Sequence, residues 1–251
     1  MFPPLKAIRT TAKHSLSPYW PQAFAITFLM VGLLFLPSFV FQIIDLATAG
    51  FLSSLPFIYP LFSGLHFMLI IFPLFMGIAR WAWIITGQAE AHISVIFHYF
   101  SSFREYVTVL KLIYAATWRL LIPILLFILP DILRRFDFSL VKDYIDPSLC
   151  LNIIDITLSV LALLMCVWGF VRIFHLIFVV INHQTRYMRD NVKEAITIAK
   201  KTRFPIISFM AANSGWYLLS FLMFPLLYTL PYLIACWAVM TRFSINYCLK
   251  K

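Results

Sequence analysis

The residues in this sequence that are best suited to chemistry are charged side chains inside apolar stretches. Arg119 lies twelve residues into the apolar run 107–129, which is about 18 Å along a helix that rises 1.5 Å per residue. A charge at such depth is costly in lipid and usually faces a protein interior or a water-filled cavity. Two interpretations follow: an ion pair with Asp155 or Asp131, or a contact with an anion or a lipid headgroup.

Three further cations, Lys111, Arg80 and Arg172, lie nearer to the ends of apolar stretches. Their long side chains can extend to the membrane surface, so this extension is the simpler interpretation for each of them. Together with Arg119 and Asp155, they make up the candidate polar site within the membrane.

Catalytic and cofactor-binding motifs are absent from the sequence. It contains no GxxxxGK[ST], HExxH or GxSxG pattern and no glycine-rich dinucleotide fingerprint. The six histidines and four cysteines do not have the spacing of a metal site. We therefore expect no metal, no cofactor and no catalytic residue, and a protein that is not an enzyme.

Long apolar blocks must position these side chains. The chain has 251 residues, of which 62% are hydrophobic and 12% charged, and the blocks 46–79 and 204–241 contain no Lys, Arg, Asp or Glu. A crossing needs about 20 apolar residues, and these runs lack the alternation of barrel strands. The sequence predicts one all-α domain over 1–251, a polytopic transmembrane helical bundle of about six spans: 23–44, 58–79, 107–129, 156–180, 205–223 and 227–243.

The basic residues indicate the orientation of this bundle. The net charge is +10, and alternate connecting segments carry fifteen Lys and Arg residues against three. By the positive-inside rule, we expect a multi-pass protein of a bacterial cytoplasmic membrane with both termini in the cytosol. Because the basic residues flank apolar spans instead of covering a solvated face, we expect no nucleic-acid partner.

Two cytosolic connections have the pattern of short amphipathic helices, which would lie along the inner membrane surface or pack on the span ends. Their expected apolar faces are Ile93, Ile96, Phe97 and Phe100 in the first and Val192, Ala195, Ile196 and Ala199 in the second.

A parallel internal repeat is a further hypothesis. Gly77-Ile-Ala-Arg80 and Gly169-Phe-Val-Arg172 each precede an amphipathic segment and then an apolar span that carries Trp118 or Trp216. The two units, 77–129 and 169–223, would run in the same direction across the membrane.

Several sequence blocks resemble a known family. They are Met188-Arg-Asp-Asn-Val-Lys-Glu-Ala-Ile-Thr-Ile-Ala-Lys-Lys, Ser214-Gly-Trp-Tyr-Leu-Leu-Ser, Leu230-Pro-Tyr and, near the start, Ile8-Arg-Thr-Thr-Ala-Lys. The chain is similar in these blocks to the bacterial integral membrane family called domain of unknown function 975. It departs from that family at Thr202-Arg-Phe-Pro205. The resemblance implies a multi-span helical protein and brings no reaction, ligand or catalytic residue.

The function expected from these observations is that of a non-enzymatic accessory or regulatory membrane component acting through protein or lipid contacts. Its expected partners are membrane lipids or a second membrane protein. One alternative is a small transporter or permease component with a polar cavity around Arg119. Another is a membrane-embedded lipid-modifying enzyme.

Overall fold

The computed structural model describes residues 2–48, 50–51, 55, 57–133, 147–183, 187–220 and 222–249. The prediction of an all-α fold is confirmed, and the described part of the chain contains no strand. The α-helices are α1 (Leu5–Leu16), α2 (Trp20–Ala47), α3 (Ile58–His66), α4 (Phe72–Thr86), α5 (Phe103–Leu133), α6 (Pro147–Ile173), α7 (Leu176–Asn182), α8 (Met188–Lys201), α9 (Arg203–Ala212), α10 (Ser214–Leu219) and α11 (Met223–Leu249). A 3-10 helix, Ile93–Phe100, which we call the connecting helix, joins α4 to α5.

Within the described residues, four helical segments are long and apolar enough to cross a membrane, where about six spans were expected. They are Leu5–Ala47, Ile58–Thr86, Asn152–Asn182 and Pro225–Leu249. The expected span 107–129 lies within the single helix α5, whereas 205–223 is divided into α9 and α10 at Asn213. Ten residues of α9 extend only about 15 Å, half the thickness of the hydrocarbon core.

The N-terminal helix α1 packs along α11. The rings of Phe2 and Tyr247 are 6.0 Å apart, and those of Trp20 and Tyr228 stack at 4.6 Å. The two ends of the described chain therefore lie together. In the six-span prediction, Trp20 lies at the cytosolic end of the first span and Tyr228 at the outer end of the last one. Because the two rings stack on each other, segments 23–44 and 227–243 cannot both cross the membrane at the predicted positions.

The packing of α1 has a simple sequence cause. Its residues Ile8, Ala12 and Leu16 are spaced by four and are fully buried, because residues at that spacing share one face of a helix. The opposite positions are polar, as in Lys6 and Lys13.

The second predicted amphipathic helix is present as α8. Val192, Ala195 and Ala199 are buried as expected, and they are joined by Asn191 and Ile198. Ile196 is half-buried at the edge of this face.

The first predicted amphipathic segment is the connecting helix, whose apolar residues are divided between the protein interior and the exposed surface. Of the four residues expected on its apolar face only Ile96 is buried, together with Tyr99, whereas Ile93, Phe97 and Phe100 are 42%, 48% and 42% exposed. The segment is a 3-10 helix with three residues per turn, so positions 96 and 99 lie one turn apart on the face that packs on the protein.

A polar cluster fills the interruption between α6 and α7. The His175 ring is fully buried, with Nδ1 3.0 Å from the Thr241 hydroxyl and Nε2 3.2 Å from the Thr202 hydroxyl. Trp237 Nε1 donates to the Phe174 carbonyl at 2.8 Å. The Phe174 carbonyl at the break and the buried His175 ring thus both have hydrogen-bond partners inside the protein.

Two arginines bind the C-terminal ends of other helices. Arg242 donates to the Trp83 carbonyl in the last turn of α4 and stacks over the Trp83 ring with its Cζ 3.9 Å from the centroid. Arg9 donates to the Ala212 carbonyl at the end of α9 and to Asn213 Oδ1. A cation is stabilised at this end of a helix because the last carbonyls have no partner within it.

The outer surfaces of α2 and α6 are apolar. Phe28, Phe35 and Phe39 of α2 and Leu163 and Leu164 of α6 are all exposed large hydrophobic residues. Contiguous surface of this kind is rare on soluble monomers and marks contact with a partner or a membrane.

Candidate functional site

The close approach of α5 and α6 builds the candidate site. The two helices form the most extensive helix pair of the described chain, and they meet where Gly169 lacks a side chain. A Cβ atom at this position would lie 2.9 Å from Leu120 Cδ2 and 3.9 Å from the Arg119 carbonyl oxygen. The missing side chain at Gly169 therefore allows α5 to approach α6 closely at Arg119 and Leu120.

Beside this contact lies a cavity of about 360 Å³ that brings Arg119 and Arg172 together. Arg172 follows Gly169 by three residues and so lies one turn further along the same face of α6. Trp118 and Trp168 line the walls, and Ile196 of α8 contributes to the lining.

The Arg119 guanidinium is only partly engaged by its own helix. Its Nη1 donates to the Ala115 carbonyl at 2.7 Å, one turn back along α5. A guanidinium has five N–H donors, so this bond leaves donor capacity on the cavity side. Side chains on a helix lean toward its N-terminus, which explains why Arg119 bonds to Ala115.

The cavity is electropositive. Among the described residues that line it, two are arginines and none is Asp or Glu. A third cation is close by, since the Arg203 Cζ lies 5.0 Å from the ring centroid of Trp168, a lining residue. Like charges at short range destabilise one another, and a bound anion would offset that cost.

The two expected ion pairs of Arg119 are not compatible with this geometry. Arg119 is level with Gly169, and Asp155 lies fourteen residues from Gly169 on the same helix, or about 21 Å. Asp131 lies twelve residues from Arg119 on α5, about 18 Å away, and its side chain is outside the described part. Both separations exceed the combined reach of an arginine and an aspartate. Asp155 Oδ1 instead accepts a bond from Ser159 Oγ at 3.4 Å.

The remaining predicted site residues lie elsewhere. Lys111 is exposed on α5, two turns before Arg119. Arg80 lines a different cavity, between α4 and the connecting helix. The five candidate residues therefore do not form one site, and only Arg119 and Arg172 share a cavity.

Two relevant residues were missed by the sequence analysis. Arg203 was counted only as a cytosolic charge, and its contact with Trp168 depends on the turn between α8 and α9. His175 was considered only as a metal ligand, yet it lies in an apolar run where any polar ring needs a partner. That cost, applied to histidines as well as to charges, would have indicated the cluster with Thr202 and Thr241.

Comparison with known proteins gave no relative: no family model, no curated protein and no solved structure matches this chain. The resemblance to domain of unknown function 975 therefore stays a prediction.

Proposed function

We propose that this chain is a non-enzymatic, multi-pass protein of a bacterial cytoplasmic membrane that binds an anionic lipid headgroup between α5 and α6. The observation that supports this most is the convergence of Arg119 and Arg172 on one cavity of about 360 Å³. A phosphate group accepts charge-assisted hydrogen bonds from guanidinium groups, often from two nitrogens at once. The binding of such a lipid would let the protein act as an accessory or regulatory component of a membrane assembly.

The surroundings of the cavity favour a lipid over a free anion. Of its lining residues Trp118 is 64% exposed, Ile122 59% and Trp168 47%. Apolar surface therefore borders the cationic cavity, which is complementary to a molecule that has both an anionic head and acyl chains. The proposal keeps both termini in the cytosol, which the excess of basic residues in alternate segments favours; the contact between Phe2 and Tyr247 supports only that the two ends lie close together.

Native mass spectrometry of the purified full chain tests this function. Wild-type protein, incubated with phosphatidylglycerol or phosphatidylcholine, is expected to retain the former preferentially. Arg119→Gln and Arg172→Gln should each weaken that retention about tenfold, the effect of losing one hydrogen bond to a charged group. Lys111→Gln is the matched control, because it removes an exposed charge from the same helix.

Three results separate the outcomes of this experiment. Unchanged retention in the double Arg119→Gln, Arg172→Gln variant would refute the proposal. Inorganic phosphate that binds as well as the lipid and displaces it would assign the cavity to a free anion. Melting temperatures measured on the same samples show whether a variant has lost its fold rather than its ligand.

Transport of an anion is the second candidate, and the interrupted helices favour it. α6 and α7 are separated at Phe174–His175, and α9 and α10 at Asn213. Helices broken at membrane depth line the substrate sites of many transporters. Efflux of an anion from liposomes that contain the protein, lost in Arg172→Gln, would support this function. If the protein retains the lipid but the liposomes show no anion efflux, the accessory role is supported instead.

A further inference from the structure

A second cavity, separate from the α5–α6 site, lies between the end of α4 and the connecting helix. Its volume is about 530 Å³, and it is lined by Arg80, Ser94, His98 and Ser101 together with apolar residues. Arg80, Ser94 and His98 carry groups that commonly bind phosphate oxygens: a guanidinium, a hydroxyl and an imidazole. The Ser101 hydroxyl already donates to the His98 carbonyl at 2.7 Å.

Close backbone packing forms this cavity. A Cβ atom at position 77 would lie 1.8 Å from the Ile96 carbonyl oxygen and 2.5 Å from its carbon. Only glycine allows the connecting helix to approach α4 this closely. Arg80 lies three residues after Gly77, so its side chain leaves the helix on the same face, beside Ser94 and His98.

Arg80 has an unused buried donor. Its Nη1 atom is inaccessible to solvent and has no hydrogen-bond partner among the described residues. Leaving a buried donor unpaired costs free energy, more for a charged group than for a neutral one. Arg80 lines the cavity, so a change of its rotamer would bring this donor to an anionic oxygen bound there.

The border of the cavity is aromatic and lies near a helix end. Phe97 and Phe100 line it and are nearly half exposed. Arg80 lies six residues before the end of the membrane-crossing segment Ile58–Thr86, about 9 Å along the helix. A basic side chain near the end of a membrane helix, beside exposed aromatic rings, is the arrangement found at a bilayer interface.

We propose that this cavity binds the headgroup phosphate of a second anionic phospholipid, whose acyl chains lie against Phe97 and Phe100. Arg80 donates to the phosphate, and the Ser94 hydroxyl and the His98 ring complete its surroundings. The proposal does not rest on the α5–α6 site, because the two cavities share no lining residue.

Counting bound lipids on the full chain tests this proposal. In native mass spectra with phosphatidylglycerol, wild type should retain two lipids, and Arg80→Gln should lose one of them with about a tenfold weaker apparent Kd. Arg104→Gln removes an exposed charge from the start of α5 and serves as the control. The Arg119→Gln variant should lose the other lipid, and the Arg80→Gln, Arg119→Gln double variant should lose both.

Retention of both lipids by a folded Arg80→Gln variant would overturn the proposal, whatever the Arg119 variants show. If Arg80→Gln does not fold, Ser94→Ala is used instead, and an unchanged lipid count would again overturn it. Equal affinity for inorganic phosphate alone would assign the cavity to a free anion and would also overturn the lipid assignment.

Discussion

Replacement of Gly77 by alanine probes the contact that positions the connecting helix. The added Cβ would lie 1.8 Å from the Ile96 carbonyl oxygen, whereas ordinary contact begins at 3.4 Å. The obstacle is backbone and not the end of a flexible side chain, so the connecting helix must move away by about 1.6 Å, the difference between these two distances. Ile96 and Tyr99, both fully buried, move with it.

The cost can be estimated from the burial that is lost. A buried tyrosine removes about 150–250 Å² from solvent, worth about 4–6 kcal/mol at ~25 cal/mol per Å². If the displacement exposes half of that area, the loss is about 2–3 kcal/mol, which agrees with the usual ~1–3 kcal/mol for overpacking. For a chain of this size, about 3 kcal/mol lowers the melting temperature by roughly 6–12 °C.

The assay is thermal melting of the purified protein in one detergent, with two other glycines as references. Gly64→Ala meets nothing within 4 Å, and the one close contact of Gly169→Ala is with the flexible tip of Leu120 at 2.9 Å. We expect no decrease for the first and a small one, about 1 kcal/mol, for the second. If Gly77→Ala melts at the same temperature as Gly64→Ala, the close packing of the connecting helix on α4 is refuted.

Three further predictions concern other groups. Thr241→Val leaves the fully buried His175 Nδ1 without its 3.0 Å partner, which should lower the free energy of unfolding by about 1–3 kcal/mol. Thr197→Val at an exposed position is the control. Equal melting temperatures of the two variants would contradict a stabilising role of the His175–Thr241 contact. Arg242→Gln removes the hydrogen bond to the Trp83 carbonyl and the stacking on the Trp83 ring, so the free energy of unfolding should fall by a similar amount. Arg242→Lys should restore only part of this loss, because lysine lacks the planar group that stacks. Full recovery by lysine would show that the charge alone is enough. Burial, and then the charge of Arg80, lower the pKa of His98 below its usual 6.5, against an opposing effect of Glu105 at 3.5 Å. His98 is therefore neutral at pH 7, and its protonation is disfavoured in the fold. The free energy of unfolding should therefore fall as pH drops below about 6.5. Phosphatidylglycerol does not titrate in that range, and it should bind the Arg80 cavity more tightly as His98 gains its proton. A lipid affinity that does not change with pH, or a pH dependence that the His98→Gln variant retains, would contradict this.

The sequence predicted the class of the fold well, because membrane crossing depends on the length and composition of a segment. The apolar blocks around 58–79 and 156–180 became long helices, and the buried face of α8 followed from the spacing of Val192, Ala195 and Ala199. These properties are local, so they can be derived from neighbouring residues in the sequence.

Other features depend on contacts between distant segments. The sequence pattern predicted an amphipathic helix at 93–100, but not the close contact of Ile96 with Gly77 or the 3-10 conformation of the connecting helix. The packing of α1 along α11, which brings Phe2 to Tyr247, also joins residues that are far apart in the sequence. In general, packing against another element can override a local preference.

The candidate site was predicted in part for the same reason. The cost of charge in apolar stretches identified Arg119 and, nearer to the end of a stretch, Arg172, but the sequence could not decide which residues meet. The relative position of α5 and α6 along their axes decides which residues meet. Because Gly169 lies opposite Arg119, Asp155 is too far along α6 to be its partner. The pairing of two cations in one cavity, instead of a cation with an acid, is therefore a result of helix register.

The most direct test of the central claim is a cryo-EM map of the full chain in nanodiscs that contain phosphatidylglycerol. We expect density for a headgroup phosphate within hydrogen-bond distance of both the Arg119 and the Arg172 guanidinium, with acyl-chain density along Trp118 and Ile122. Lipid density around the whole protein but none between these two arginines would contradict it.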